Sequence, residues 1–82
     1  MKGAVYLYFG HNLLTNGSFE DLANLGITPK EGMVLTFYEG DADEQNRPTY
    51  LYAEGILYLD GGKWHARFDP DSIRSVLQAD VD

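Results

Sequence analysis

The chain has 82 residues, with 13 acidic side chains, six lysines and arginines, and no cysteine. This length allows one domain with a thin core, because a chain this short buries only about 60–65% of its unfolded surface. The hydrophobic content of 44% is typical of a folded domain and excludes a disordered tail. A formal net charge of −7 repels phosphate backbones and anionic membranes, so we expect neither nucleic acid nor a membrane as a partner.

The absence of cysteine excludes disulfides, thiolate nucleophiles and thiolate metal sites. The N-terminal apolar run contains two tyrosines and ends by His11, which is unlike the core of a signal peptide. No run approaches the roughly 18 apolar residues that a membrane-spanning segment needs. These features predict a cytoplasmic protein that forms a single domain over residues 1–82, with residues 78–82 frayed.

The first predicted elements are a strand and a short helix. Residues 3–9 alternate apolar side chains with tyrosines, which is the two-residue period of a strand. Ser18 is a favourable N-cap, and Gly26 suits the left-handed position that follows a helix. We therefore expect a helix near 18–25.

The middle of the chain predicts three strands. Residues 33–39 alternate again, and the polar segment 39–48 after them predicts an exposed loop. Two aromatic-rich runs, 49–59 and 63–68, then flank Asp60-Gly61-Gly62. This pattern predicts a β-hairpin around which the rest of the fold is organised.

The predicted hairpin has two different faces. One face of its first strand should join the core, together with Trp64 and Phe68 of the return strand. The core face of the first strand holds Leu51, Ala53, Gly55, Leu57 and Leu59, and the other face holds Tyr50, Tyr52, Glu54, Ile56 and Tyr58. A bulge at Gly55 would instead turn Ile56 and Tyr58 inward, so the pattern leaves two registers open.

Parts of this arrangement resemble a Src-homology-three-like (SH3-like) barrel. The resemblance lies in the acidic stretch after an aromatic strand end (FYEGDADE) and in the return strand GGKWHARF. It implies a small barrel whose acidic loop, tryptophan and tyrosines bind proline-rich peptides. Trp64 falls on the predicted core side and no proline-tyrosine signature follows, so only the architecture is carried over to this chain.

The end of the chain completes the predicted fold. Asp69 and Pro70 are typical of a helix start, and an apolar stripe follows them, which predicts a short C-terminal helix near 70–77. The fold class that we predict is α+β and mainly β, a small single domain. It has a curved antiparallel sheet or partly open SH3-like barrel of four or five strands, with the helix near 18–25 and the C-terminal helix.

Tyrosine is the residue type whose placement points to a function. All six tyrosines fall in predicted strands, opposite the side assigned to the core: Tyr6, Tyr8, Tyr38, Tyr50, Tyr52 and Tyr58. Tyrosine offers a large amphipathic surface and is enriched at interfaces. The simplest explanation is that cross-strand tyrosine pairs stabilise the sheet or that the helices cover them, and a face that binds a partner or a second copy is the alternative.

The predicted loop contributes four acids that form a second candidate surface: Glu39, Asp41, Asp43 and Glu44. A basic partner could contact them. Asp41, Asp43 and Glu44 are also weak metal candidates, because Asp41-x-Asp43 is similar to the start of a calcium loop. The similarity ends at Asn46, which stands where such a loop needs glycine, and at Tyr52, which stands where it needs glutamate.

Catalysis is not expected from these residues. His11 and His65 lack a second ligand at zinc spacing, and no serine sits in a nucleophile elbow. We expect no cofactor. The sequence favours a non-enzymatic protein-interaction module that uses the tyrosine face and the acidic loop, and a homodimer is one form that this interaction could take. The alternatives are an acidic inhibitor or immunity-type protein that occupies a basic site on a partner, and a small enzyme or metal-binding domain.

Overall fold

A computed structural model describes residues 3–81 of the chain. Met1, Lys2 and Asp82, the ends of the predicted domain, lie outside the described residues. The predicted α+β, mainly β class is confirmed by one helix and a five-stranded mixed sheet that is not closed. The elements are β1 (Ala4–Tyr6), α1 (Asn16–Asn24), β2 (Val34–Ala42), β3 (Pro48–Asp60), β4 (Lys63–Phe68) and β5 (Arg74–Leu77), with 3-10 turns at Pro70–Ser72 and Gln78–Asp80.

Strand β3 is the centre of the sheet. Its 13 residues pair with β2 on one edge, while β4 and β5 share the other edge. These pairings are antiparallel, as predicted. The pairing of β1 with β2 is parallel and corrects the expectation of an antiparallel sheet. The long connection through α1 returns the chain to the starting end of the sheet, which a parallel pair requires.

The predicted hairpin is confirmed as β3 and β4, joined by Gly61 and Gly62 with φ values of 59° and 76°. Positive φ at both central residues is what a type I′ turn requires, and the twist of this turn matches that of the paired strands. The register runs through Gly55 without a bulge. The alternative register is wrong, because Ile56 is 46% exposed while Leu57 is fully buried.

The core lies between one face of the sheet and helix α1. Phe68 and Trp64 pack against it from β4, as predicted. Leu59 was expected inside but is 42% exposed, because it lies beside the turn at the far end of the hairpin. The buried cluster contains Val5, Leu7, Leu14, Leu22, Phe37, Leu57 and Ala66.

Helix α1 begins two residues before the predicted range, with Thr15 rather than Ser18 as its N-cap. Ser18 is fully buried and ties the helix to β1, since its hydroxyl donates to the Tyr6 carbonyl at 2.6 Å and accepts from the Thr15 amide at 3.1 Å. The role of Gly26 is confirmed by its φ of 70° directly after the helix. These contacts fix the helix along the outer edge of β1.

The predicted C-terminal helix is wrong. Asp69 caps only the 3-10 turn that follows it, and the apolar residues after the turn form β5. The physical reason is the open edge of β3, whose amides and carbonyls need partners that a strand supplies and a helix does not. Residues 78–80 were expected to fray but form a turn, and the Gln78 side chain donates to the Thr49 carbonyl at 3.0 Å.

The exposed loop is shorter than predicted. Strands β2 and β3 stay paired as far as Ala42 and Pro48, so the connection covers only residues 43–47. Three bonds to the Asp43 side chain hold this turn: the amides of Gln45 and Arg47 donate at 2.9 and 2.8 Å, and the Arg47 Nε donates at 2.8 Å.

Candidate functional site

Register places three of the predicted tyrosines in one row across the sheet. Tyr6 of β1 is paired with Tyr38 of β2, which is paired with Tyr52 of β3, and Tyr52 is paired with Arg74 of β5. Paired residues of neighbouring strands project from the same face, so these four side chains lie side by side opposite the core.

Tyr50 extends this row by one step along β3. Its ring centroid lies 5.8 Å from that of Tyr38 and 6.0 Å from that of Tyr52. The planes of the Tyr38 and Tyr50 rings cross at 88°, and those of Tyr6 and Tyr38 at 76°. In an edge-to-face pair the two rings do not stack, so the edge of one ring meets the face of the other. The ring that presents its edge keeps its own broad faces free of its partner.

The tyrosines line an open cleft of roughly 630 Å³, which we call the tyrosine cleft. Its lining comes from α1 and its C-cap (Asp21, Asn24 and Leu25), from Gly3 and the first residue of β1 (Ala4), from β2 and β3 (Tyr38, Tyr50 and Tyr52) and from the C-terminal segment (Gln78 and Val81). This volume lies within the range of about 300–1,000 Å³ that is usual for ligand sites in proteins.

Asp21 is the polar centre of the cleft. Its Oδ2 accepts from the Tyr38 hydroxyl at 3.1 Å and from the Tyr6 amide at 2.9 Å. The Tyr6 amide lies on the edge of β1 that no strand covers in the described part of the chain, so the helix supplies its acceptor. Of the described residues that line the cleft, Asp21 alone carries a charge, and this charge is negative.

The surroundings keep two phenols of the cleft protonated. Burial and the neighbouring Asp21 carboxylate raise the pKa of Tyr38 above its ordinary value of 10.0. Burial and the nearby Tyr50 raise the pKa of Tyr52, and Arg74 acts in the opposite direction. Both groups are neutral phenols at neutral pH.

Tyr52 forms the floor of the cleft rather than an accessible surface. Only 1% of the residue is exposed, and the Arg74 guanidinium lies 5.6 Å from its ring centroid. The C-terminal segment therefore covers a tyrosine that the strand alternation had placed on an open face. Tyr50 and Tyr38 remain partly exposed.

Three of the six predicted site tyrosines do not line the cleft. Tyr8 lies beyond the end of β1, is 49% exposed and packs its ring against His11. Tyr58 lies on the same face as the cleft but further along β3, where it stacks on His65 at 5.2 Å with Arg67 over its ring. Tyr6 joins the row through its contact with Tyr38 but does not line the cleft.

The acidic residues of the second candidate surface are divided between β2 and the turn that follows it. Glu39 and Asp41 pair with core-face residues of β3, so their side chains project away from the tyrosines. The Phe9 amide donates to Glu39 at 3.4 Å. The Arg47 amide and the other bonds in its turn lower the pKa of Asp43, which therefore serves the loop itself. Glu44 is exposed in the same loop.

The described residues contain neither a cluster of metal-ligand side chains nor a long apolar helix. Within residues 3–81, no three histidine, cysteine, aspartate or glutamate side chains are grouped so that they could hold a metal ion, and this includes Asp41, Asp43 and Glu44. No helix in the same range is both long and apolar enough to cross a membrane.

Sequence reasoning missed Asp21, Gln78 and Val81 as parts of the site. Asp21 was not among the predicted site residues, because the positive end of a helix already explains an acid near its start. Asp21 follows Ser18 by three residues, so both polar side chains lie on one side of α1, beside the buried Leu22. This spacing indicates that α1 faces a polar edge of the sheet. Gln78 carried no local signal.

No protein-family model, curated protein or solved structure matches the chain. The tyrosine cleft is therefore the feature of the molecule from which a function is inferred.

Proposed function

We propose that the protein is a non-enzymatic interaction module that binds a segment of a partner protein in the tyrosine cleft. The observation that carries this proposal is the convergence of Tyr38, Tyr50 and Asp21, from three different elements, on one open cleft. A rigid sheet holds the two rings, and pre-organised aromatic side chains lose little entropy on binding.

The chemistry of the cleft suits recognition better than catalysis. Its walls combine ring surfaces with the carboxylate of Asp21 and the amide of Gln78. Such a mixture of apolar area and a few polar groups is typical of a site that orients a bound segment. The Asp21 carboxylate already accepts two hydrogen bonds from the protein, which fixes its position.

An inhibitor that binds by acidic mimicry is the less favoured function. Asp43 is bonded to Arg47, and Glu39 accepts from a backbone amide, so two of the four acids already have partners within the chain. Glu39 and Asp41 also project from the face opposite the cleft. A contact through the tyrosines should keep most of its affinity at high salt, whereas charge mimicry should lose it steeply.

Selection from a displayed random-peptide library on the immobilised protein tests the proposal. We expect enriched peptides that bind Tyr50→Ala at least about tenfold more weakly, because this change removes a wall of the cleft. Tyr8→Ala is the matched control, since it removes an exposed tyrosine outside the cleft. No enrichment, or equal binding to wild type and Tyr50→Ala, would contradict the proposal.

Sedimentation over a range of concentrations tells whether the partner is a second copy of the chain. A dimer that weakens with Tyr50→Ala and not with Tyr8→Ala would assign the cleft to self-association. A monomer at all concentrations would leave a different protein as the partner. The thermal unfolding of both variants must remain cooperative for either result to count.

A further inference from the structure

The electrostatics of the tyrosine cleft are asymmetric. Asp21 supplies a negative charge, and none of the described lining residues supplies a positive one. The whole chain, Asp21 included, has a formal net charge of −7. A field of this sign concentrates cations at the surface and repels anionic groups.

The aromatic walls of the cleft favour the same sign of charge. The face of a tyrosine ring is electron-rich and attracts ammonium and guanidinium groups within about 6 Å of its centroid. The ring planes of Tyr38 and Tyr50 cross at 88°, so they form two sides of a corner rather than a stack. The hydrogen bond from the Tyr38 hydroxyl to Asp21 places a carboxylate at the rim of one of these rings.

The molecule already contains one contact of this kind at the same place. The Arg74 guanidinium lies 5.6 Å from the centroid of the Tyr52 ring, on the floor of the cleft. Arg74 is exposed and is not among the residues that line the cleft, whereas Asp21 and Tyr50 both line it. The row of tyrosines therefore accepts a guanidinium in this fold.

We propose that the tyrosine cleft binds the cationic side chain of an arginine or lysine on the partner protein, with Asp21 facing the charge and Tyr38 and Tyr50 contacting the alkyl stem and the head. This inference rests on the proposed function and names the anchor residue of the partner. The cleft volume of roughly 630 Å³ leaves room for the residues on either side of the anchor.

Nuclear magnetic resonance titration of the labelled protein with capped single amino acids tests the anchor. The probes are N-acetyl-arginine methylamide and N-acetyl-lysine methylamide, with the norleucine derivative as a neutral probe of similar length. We expect the amide resonances of Asp21, Tyr50 and Gln78 to shift with both cations. The norleucine probe should bind at least about fivefold more weakly than either cation.

Asp21→Asn removes the charge and keeps an acceptor for Tyr38 and the Tyr6 amide, so it should fold. We expect it to weaken binding of both cationic probes about fivefold, while the matched control Glu20→Gln, an exposed acid on the same helix outside the lining, leaves binding unchanged. If Asp21→Asn does not fold, Tyr50→Ala takes its place and should also weaken both cations.

Two results would overturn the inference. Equal affinity for the norleucine and arginine probes, or no shift of cleft amides with either cation, would remove the cationic anchor. In that case peptides that still lose affinity for Tyr50→Ala would leave the proposed function standing, with an apolar anchor instead. Peptides that bind wild type and Tyr50→Ala with equal affinity would contradict the proposed function, regardless of how the capped amino acids bind.

Discussion

Tyr38 and Tyr52 link the stability of the fold to alkaline pH. Burial raises the pKa of both Tyr38 and Tyr52 above the ordinary value of 10.0, so their phenols ionise in the unfolded chain before they ionise in the folded one. The free energy of unfolding should therefore be highest below pH 10.0 and should fall as pH rises through the raised pKa values. Denaturant unfolding at a series of alkaline pH values measures this slope.

Conservative changes assign the alkaline slope to individual side chains. Tyr52→Phe keeps the ring on the floor of the cleft and removes its ionisable group, so the fall in stability should become shallower. Tyr8→Phe removes an exposed phenol and should leave the slope unchanged. A slope that is the same in wild type, Tyr38→Phe and Tyr52→Phe would show that other groups cause the alkaline loss.

At the level of elements, Gly55 is a position where β2 and β4 both approach the backbone of β3 closely. A Cβ added there would lie 3.0 Å from Phe37 Cε2 and 3.2 Å from the Arg67 carbonyl oxygen. Phe37 is fully buried, and the carbonyl belongs to the backbone of β4, so neither can move away freely. Gly55→Ala should lower the free energy of unfolding by about 1–3 kcal/mol, the usual cost of overpacking.

Gly40→Ala is the matched control within the same sheet. Its added Cβ would have only the Gln78 amide nitrogen as a neighbour, at an ordinary distance of 3.8 Å. Chemical denaturation should find this variant within about 1 kcal/mol of wild type, because a compatible alanine also restricts the unfolded chain. Equal stability of the two variants would contradict the close packing of β2, β3 and β4 around Gly55.

Local patterns predicted the elements that local chemistry determines. The hairpin follows from the alternation around Gly61 and Gly62, and its return strand has the predicted bounds of β4. Gly26 ends α1 because a residue without a Cβ adopts positive φ at little cost. These features depend on residues a few positions apart, so the sequence alone contains them.

The wrong predictions about β5 and β1 concern contacts between distant parts of the chain. The residues of β5 have helical spacing, but the open edge of β3 determines their conformation. The parallel pairing of β1 depends on the path of α1. The alternation correctly placed Tyr38, Tyr50 and Tyr52 on one face, but only the docking of β5 and the C-terminal turn made that face a cleft with Tyr52 as its floor.

In the whole molecule, β3 connects the core to the tyrosine cleft. One of its faces contributes Ala53 and Leu57 to the interior, and the other contributes Tyr50 and Tyr52 to the cleft. The same strand is paired on both edges, whereas β5 has β3 as its one partner among the described strands. The cleft therefore has one wall on the most supported strand and another on a segment held at a single edge.

This difference in support predicts how amide hydrogen exchange varies over the molecule. The amides from Ala53 to Leu57 should exchange most slowly, because they are released only when the sheet unfolds as a whole. The amides of β5 should exchange at least about tenfold faster, since four residue pairs and one side-chain bond from Gln78 hold this segment. Faster exchange of β5 would mean that the Gln78 wall of the cleft opens while the Tyr38 wall stays in place, which would allow a longer partner segment to enter. Equally slow exchange in β5 and the centre of β3 would contradict independent opening and would define the cleft as a rigid part of the fold.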